Sequence, residues 1–106
     1  MKPHVLILED NFLLAEDLAD LVRTDLGGAP LLAHNVSEAI ELIPDNIKLA
    51  FLDIEVSDGV SYPVAKKLME HHIPIIFVSG NEKENVPREF KYVPFVSKPA
   101  SPSRLI

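Results

Sequence analysis

Five short apolar runs divide the chain into segments, and each run has the length of a β-strand. The first, from Val5 to Leu8, is continuous rather than alternating, which is typical of a strand buried on both faces. The predicted strands are Val5–Leu8, Pro30–His34, Leu49–Leu52, Pro74–Val78 and Val93–Val96.

Between these runs, apolar residues recur at the three- and four-residue spacing of amphipathic helices. The three predicted helical faces are Leu14, Leu18, Leu21 and Val22; Ala39, Ile40 and Ile43; and Val64, Ala65, Leu68 and Met69. Ser37 is the predicted N-cap of the second helix, and Pro44 its stop. The polar segment 81–91 contains Pro87 and supports at most a short or irregular fourth helix. We expect residues 101–106 to begin a fifth helix that is largely missing from the given sequence.

Alternation of strands with helices predicts an α/β fold, in which helices cover both faces of a parallel sheet. With 106 residues, the chain has room for one domain, 1–106, with a core of its own. If the fifth helix is absent, one sheet face is bare; we expect either further residues after Ile106 or a partner to cover it.

Composition narrows the classes of function. The chain has no cysteine, which excludes disulfides and thiol chemistry, and its start resembles no signal peptide. No apolar stretch reaches the roughly 20 residues of a membrane span, so the cytoplasm is the expected location. The net charge of −6 argues against nucleic-acid binding through this domain.

Polar residues directly follow four of the five predicted strands. They are the pair Glu9 and Asp10, then Asp53, Ser79 and Lys98. Ligands of open parallel sheets bind at the carboxyl ends of the strands, so the fold would gather these side chains into one cleft. Taken singly, Asp10 with Asn11 would cap a helix, Asp53 and Ser79 would be turn residues, and Lys98 would be exposed.

Taken together, the set suits phosphoryl transfer. Carboxylates that repel one another favour Mg²⁺, which takes oxygen ligands, and an aspartate carboxylate can be the nucleophile that forms an aspartyl-phosphate. A lysine and a serine hydroxyl can bind the remaining phosphoryl oxygens, because this chemistry depends on positioning and charge neutralisation.

With these residues in that order and at about that spacing, the chain resembles the receiver domains of response regulators in two-component signalling. The matching pieces are Val5–Asp10, Leu52–Ile54, Ser79-Gly80 and Lys98-Pro99. The resemblance implies a doubly wound, flavodoxin-like five-stranded parallel sheet in the order 2-1-3-4-5.

The resemblance also implies a role for each site residue. Asp53 would be the phosphoacceptor; Glu9, Asp10, Asp53 and the backbone carbonyl of Glu55 would bind Mg²⁺. Lys98 would pair with the phosphate, while Ser79 and Phe95 would be the switch residues. The partners implied are a histidine kinase or histidine phosphotransfer protein and an output protein that the sequence does not name. Such a domain is not an enzyme beyond its own phosphorylation and dephosphorylation.

Two segments depart from the common pattern of the family. The loop 55–59 is about two residues short, and the fourth helix is reduced; both are similar to an alphaproteobacterial-type subgroup. Two alternatives remain open: a pseudo-receiver that only binds protein partners, and a small aspartyl phosphatase of the haloacid-dehalogenase type. The adjacent His71 and His72 would point about 100° apart on a helix, and are poor metal partners.

Overall fold

A parallel sheet with helices on both faces forms the molecule. The computed structural model describes residues 2–43, 46–80 and 86–97. The strands are β1 His4–Leu8, β2 Ala29–Ala33, β3 Ile47–Leu52, β4 Glu55–Val56, β5 Gly59–Val60, β6 Ile75–Ser79 and β7 Phe95–Ser97. The helices are α1 Phe12–Thr24, α2 Val36–Leu42 and α3 Tyr62–Glu70, and a 3-10 turn spans Arg88–Phe90.

The main sheet has five parallel strands in the order β2-β1-β3-β6-β7. Since β6 and β7 are the fourth and fifth predicted strands, the order 2-1-3-4-5 is confirmed. The sequence positions of the five strands were predicted to within one or two residues.

The strands are continuously apolar because both faces of the sheet are buried. On one face, Leu6, Leu52 and Phe77 join the core cluster that includes buried residues of α2 and α3. On the other, Ile7 and Phe51 pack with the buried stripe of α1. Consecutive residues of one strand thus enter different cores.

The helices begin where side chains can satisfy the first backbone amides. Asn11 caps α1, and its side chain accepts a hydrogen bond from the Leu14 amide. Asn35 caps α2 in the same way, through the Glu38 amide at 2.9 Å. The prediction of Ser37 as that cap was wrong, because Ser37 already lies inside the helix and its hydroxyl bonds elsewhere.

A small antiparallel hairpin, β4–β5, lies between β3 and α3 and was not predicted. Glu55 pairs with Val60 and Val56 with Gly59, which leaves Ser57 and Asp58 as the turn. Asp58 is therefore at the tip of this hairpin, directly before the first residue of β5. Gly59 has a φ of +141°, a conformation that favours glycine.

The segment before β7 contains no α-helix among its described residues, 86–97. Phe90 of the 3-10 turn is buried and fastens this segment to the core. The remainder of the expected fourth helix, the start of the fifth helix and Pro44 lie outside the described residues. Within the described chain, no helix combines the length and apolarity required to cross a membrane.

Candidate functional site

Backbone pairing fixes the carboxyl ends of β1 and β3 side by side. Leu8 pairs with Leu52, and the next amide, that of Asp53, donates to the Leu8 carbonyl at 2.9 Å. On the opposite side of β1, the Glu9 amide donates to the Ala33 carbonyl of β2 at 3.0 Å. Glu9 and Asp53 are thus held on neighbouring central strands by main-chain bonds.

The carboxylates of Glu9, Asp10 and Asp53 form one acidic cluster. One oxygen from each lies within 4.8 Å of the others. Glu9 and Asp53 are only 1% and 5% exposed, whereas Asp10 faces solvent. The cluster is therefore a buried pair of carboxylates with a third at its mouth.

Asn11 rather than Asp10 provides the helix cap at this position. The Asn11 side chain bonds the Leu14 amide, and its own amide donates to Glu9 Oε2 at 3.0 Å. Capping of α1 thus does not account for Asp10, whose carboxylate is left beside those of Glu9 and Asp53.

The donor set of the acidic cluster fits a hard divalent cation. Carboxylate oxygens are the ligands that Mg²⁺ prefers, at 2.0–2.1 Å in an octahedron, so oxygens on opposite sides of the ion are about 4.2 Å apart. The 4.8 Å spread exceeds that separation by about 0.6 Å, so Mg²⁺ would draw the oxygens together by at least that much, a shift that side-chain rotation can supply. The three carboxylates could hold Mg²⁺ with room for waters and a phosphate oxygen.

Ser79 ends β6, the strand beside β3. Leu52 pairs with Phe77, so Ser79 lies just beyond the end of β3 at the same edge of the sheet as Asp53. Its side chain is buried. The sheet thus brings the serine to the edge where the acidic cluster lies, as the sequence predicted.

For the other predicted site residues that the structure describes, it gives a position in the chain or the sheet. Glu55 is exposed, and is the first residue of β4, two residues after Asp53. Phe95 is half-buried in β7 opposite Phe77, and packs against the core. Lys98 lies outside the described residues.

Three aromatic rings pack together in the core cluster that includes the buried residues of α2 and α3. Tyr62 stacks on Phe90 with ring centroids 5.2 Å apart, and both rings meet Phe77 edge-on. Burial raises the pKa of the Tyr62 hydroxyl, and the negative charge of Glu55 adds to the effect. The sequence reasoning singled out Phe95 and missed this cluster, whose members lie on α3, β6 and the 3-10 turn.

Histidines of the described chain lie in different settings. His34 Nδ1 lies 3.2 Å from the Glu9 carbonyl oxygen, a contact that suits a structural role. His71 and His72 are both exposed at the end of α3, and His72 has a positive φ of 58°.

Solved structures with the same fold cover nearly all of the chain. SdrG from Sphingomonas melonis Fr1 is 30% identical, with a TM-score of 0.83 over 98% of this chain and 90% of that one. The REC domain of the response regulator PhyR from Erythrobacter litoralis is 27% identical, with a TM-score of 0.83 over 98% and 84%. The non-phosphorylated HemR receiver domain from Leptospira biflexa is 25% identical, with a TM-score of 0.82 over 98% and 88%.

No protein-family model matches the sequence, and no curated protein does. The motif set, the strand order and the similarity to these solved structures nevertheless agree over almost the full length. The chain belongs to the receiver domain family of response regulators.

Proposed function

We propose that this receiver domain accepts a phosphoryl group on Asp53 from a histidine kinase or a histidine phosphotransfer protein. The acidic cluster carries the proposal: the aspartate that directly follows the central strand β3 has a carboxylate oxygen within 4.8 Å of oxygens from the two carboxylates that follow β1. That arrangement suits a nucleophile beside a cation site.

Each residue has a distinct part in the proposed step. Glu9, Asp10, Asp53 and the Glu55 carbonyl would hold Mg²⁺, which when bound neutralises charge on the phosphoryl oxygens. An Asp53 Oδ attacks phosphorus while the bond from phosphorus to the donor histidine nitrogen breaks, and that nitrogen keeps the electron pair. Ser79 and Lys98 bind the oxygens of the transferred group.

Phosphorylation would then shift the domain between two conformations that an output protein distinguishes. Ser79 is the hydroxyl switch of this proposal, and Phe95 the switch aromatic. Ser79 is buried at the end of β6, and β7 with Phe95 is its neighbour in the sheet. A hydrogen bond from Ser79 to the phosphoryl group would pull directly on β6.

Intact-mass measurement tests the phosphoacceptor. In Mg²⁺ and acetyl phosphate, the wild type should gain one phosphoryl group that is stable in acid and labile in base. Asp53→Asn should gain none, because an amide cannot attack as a carboxylate does.

Asp17→Asn is the matched control, since it removes an exposed aspartate of α1 outside the acidic cluster and should be phosphorylated normally. A wild type that gains no mass even with a cognate kinase would instead support a module that only binds partners. Continuous hydrolysis of phosphate esters would support a phosphatase.

A further inference from the structure

We propose that Asp58 is a positioning residue for the phosphoacceptor site, an inference that rests on the proposed function. Its carboxylate joins the β4–β5 hairpin to the first turn of α2, and would thereby fix the position of the Glu55 carbonyl, the backbone ligand of the proposed Mg²⁺ site.

Asp58 makes three hydrogen bonds across the fold. Its Oδ1 accepts from the Val36 amide at 2.7 Å, and its Oδ2 accepts from the Ser37 amide and the Ser37 hydroxyl, each at 3.2 Å. These partners lie 21 and 22 residues away in sequence. The contact therefore joins the turn of the β4–β5 hairpin to the start of α2.

The first backbone amides of α2 all have a hydrogen-bond acceptor only because this carboxylate accepts from two of them. The first amides of a helix have no partner inside it. Asn35 takes the Glu38 amide, and Asp58 takes those of Val36 and Ser37. A negative charge at this end also suits the helix dipole. The hydrogen bonds, that of Val36 foremost, lower the pKa of Asp58, which keeps the carboxylate ionised and able to accept.

The hairpin needs such an anchor because its own pairing is small. Two residue pairs join β4 to β5, and an isolated two-stranded hairpin is marginally stable in water. Its base is fixed by the Ser61 amide, which donates to the Ile54 carbonyl at 2.8 Å. Asp58 fixes the tip, so Glu55 lies between two held points.

The anchor point is itself tied to the acidic cluster. α2 packs against β1 and β2, the strands that set the position of Glu9 through its backbone bond to Ala33. Asp58 thus links the hairpin that follows Asp53 to α2, and α2 packs against the strand that precedes the other two carboxylates. With a loose tip, the Glu55 carbonyl would have no fixed position at the proposed cation site.

The experiment is a Mg²⁺ titration of the full chain followed through its backbone amide NMR signals. Outer partners of metal ligands typically change metal affinity 10–100-fold, and Asp58 acts one step further out, so we expect Asp58→Ala to weaken Mg²⁺ binding about three- to tenfold. Asp58→Asn should weaken it less, because the amide oxygen can still accept from Val36. Unchanged amide signals in the main sheet would show that each variant is folded.

Two controls separate positioning from loss of charge or of fold. Asp17→Ala removes one exposed carboxylate and should leave the affinity within twofold. Ser37→Ala removes the hydroxyl donor but keeps both amide donors, and should also have little effect. A general loss of stability would lower the intensity of the folded-state signals, while the shifts of those signals would still reach half their range at the wild-type concentration of free Mg²⁺.

The outcomes for Asp58 and for the phosphoacceptor are distinguishable. An unchanged affinity in Asp58→Ala overturns the positioning role even if the wild type is phosphorylated, and so does a wild type that binds no Mg²⁺. Weakened Mg²⁺ binding in the variant supports the role even if the wild type gains no phosphoryl mass, a result that would count against the proposed function alone.

Discussion

At the scale of single residues, neighbouring polar side chains have different roles, helix capping or a more distant contact, that the sequence alone does not distinguish. Asn11 caps a helix while Asp10 is left in the acidic cluster. Asn35 caps the next helix while the Ser37 hydroxyl donates to a distant carboxylate. Capping propensity is shared by Asn, Asp and Ser, so the pattern locates a helix start only to within one or two residues.

The hydrogen bonds of Asp58 make a prediction about pH. Its pKa lies below the ordinary 3.8 in the folded protein, so the unfolded chain takes up the proton first as pH falls. The stabilisation is therefore fully present above the unfolded pKa, and is lost as pH falls through the lower folded value.

Denaturant midpoints of wild type and Asp58→Asn should differ at pH 7 and converge below about pH 4, near the reference pKa of aspartate. Asp17→Asn is the control for the acid sensitivity of the other carboxylates and should show no such convergence. A wild-type advantage that persisted unchanged at pH 2.5 would contradict the account.

At the scale of elements, a strand or helix could be predicted from the sequence only where enough of its residues form a recognisable pattern. Strands such as Ile75–Ser79 can be predicted because they contain four or more consecutive apolar residues. The β4–β5 hairpin has strands of two residues, too short for any periodicity to appear. The link from its tip to α2 depends on contacts between residues about 20 apart, which no local pattern encodes.

The same reasoning explains the aromatic residues. Phe95 was singled out because the resemblance to receiver domains implies a switch aromatic there. Phe90 has only polar or proline neighbours at positions 87–89 and 91, where nothing marks a buried ring. Its burial follows from stacking on Tyr62 and from the edge of Phe77. Those partners come from other elements, and only the folded chain brings them together.

Phe90 should therefore anchor the 3-10 turn, and Phe90→Ala tests this. Replacing a buried phenylalanine with alanine typically lowers the free energy of unfolding by about 3–5 kcal/mol, and this range includes the loss of the ring's aromatic contacts. The free energy of unfolding, measured by denaturant titration, should fall by about 3 kcal/mol, the low end of that range.

Tyr92→Ala is the control from the same segment. Its ring is 92% exposed, so its removal should change the free energy of unfolding by less than about 0.5 kcal/mol. Equal effects of the two substitutions would show that the turn is not held by the buried ring.

At the scale of the whole molecule, the parallel sheet concentrates like charge. The chain carries a net charge of −6, and the sheet order sets the ends of β1 and β3 next to one another, with their three carboxylates within 4.8 Å. This convergence could be predicted from the sequence, because it follows from parallel topology alone. Whether the oxygens lie close enough to share one cation depends on side-chain geometry, which only the folded structure supplies.

Charge concentration of this kind should make stability depend on divalent cations. A ligand that binds the folded state alone stabilises it by about 2.7 kcal/mol at a hundredfold excess over its Kd. Mg²⁺ at constant ionic strength should therefore raise the melting temperature of the wild type, as measured by calorimetry.

The melting temperature of Asp10→Asn should rise much less with Mg²⁺, because one ligand is lost. Without Mg²⁺, this variant should melt at or above the wild-type temperature, because repulsion within the acidic cluster is reduced. Asp17→Asn, which leaves the cluster intact, should keep the full response. An equal rise in all three proteins would mean that the cation acts at sites outside the acidic cluster.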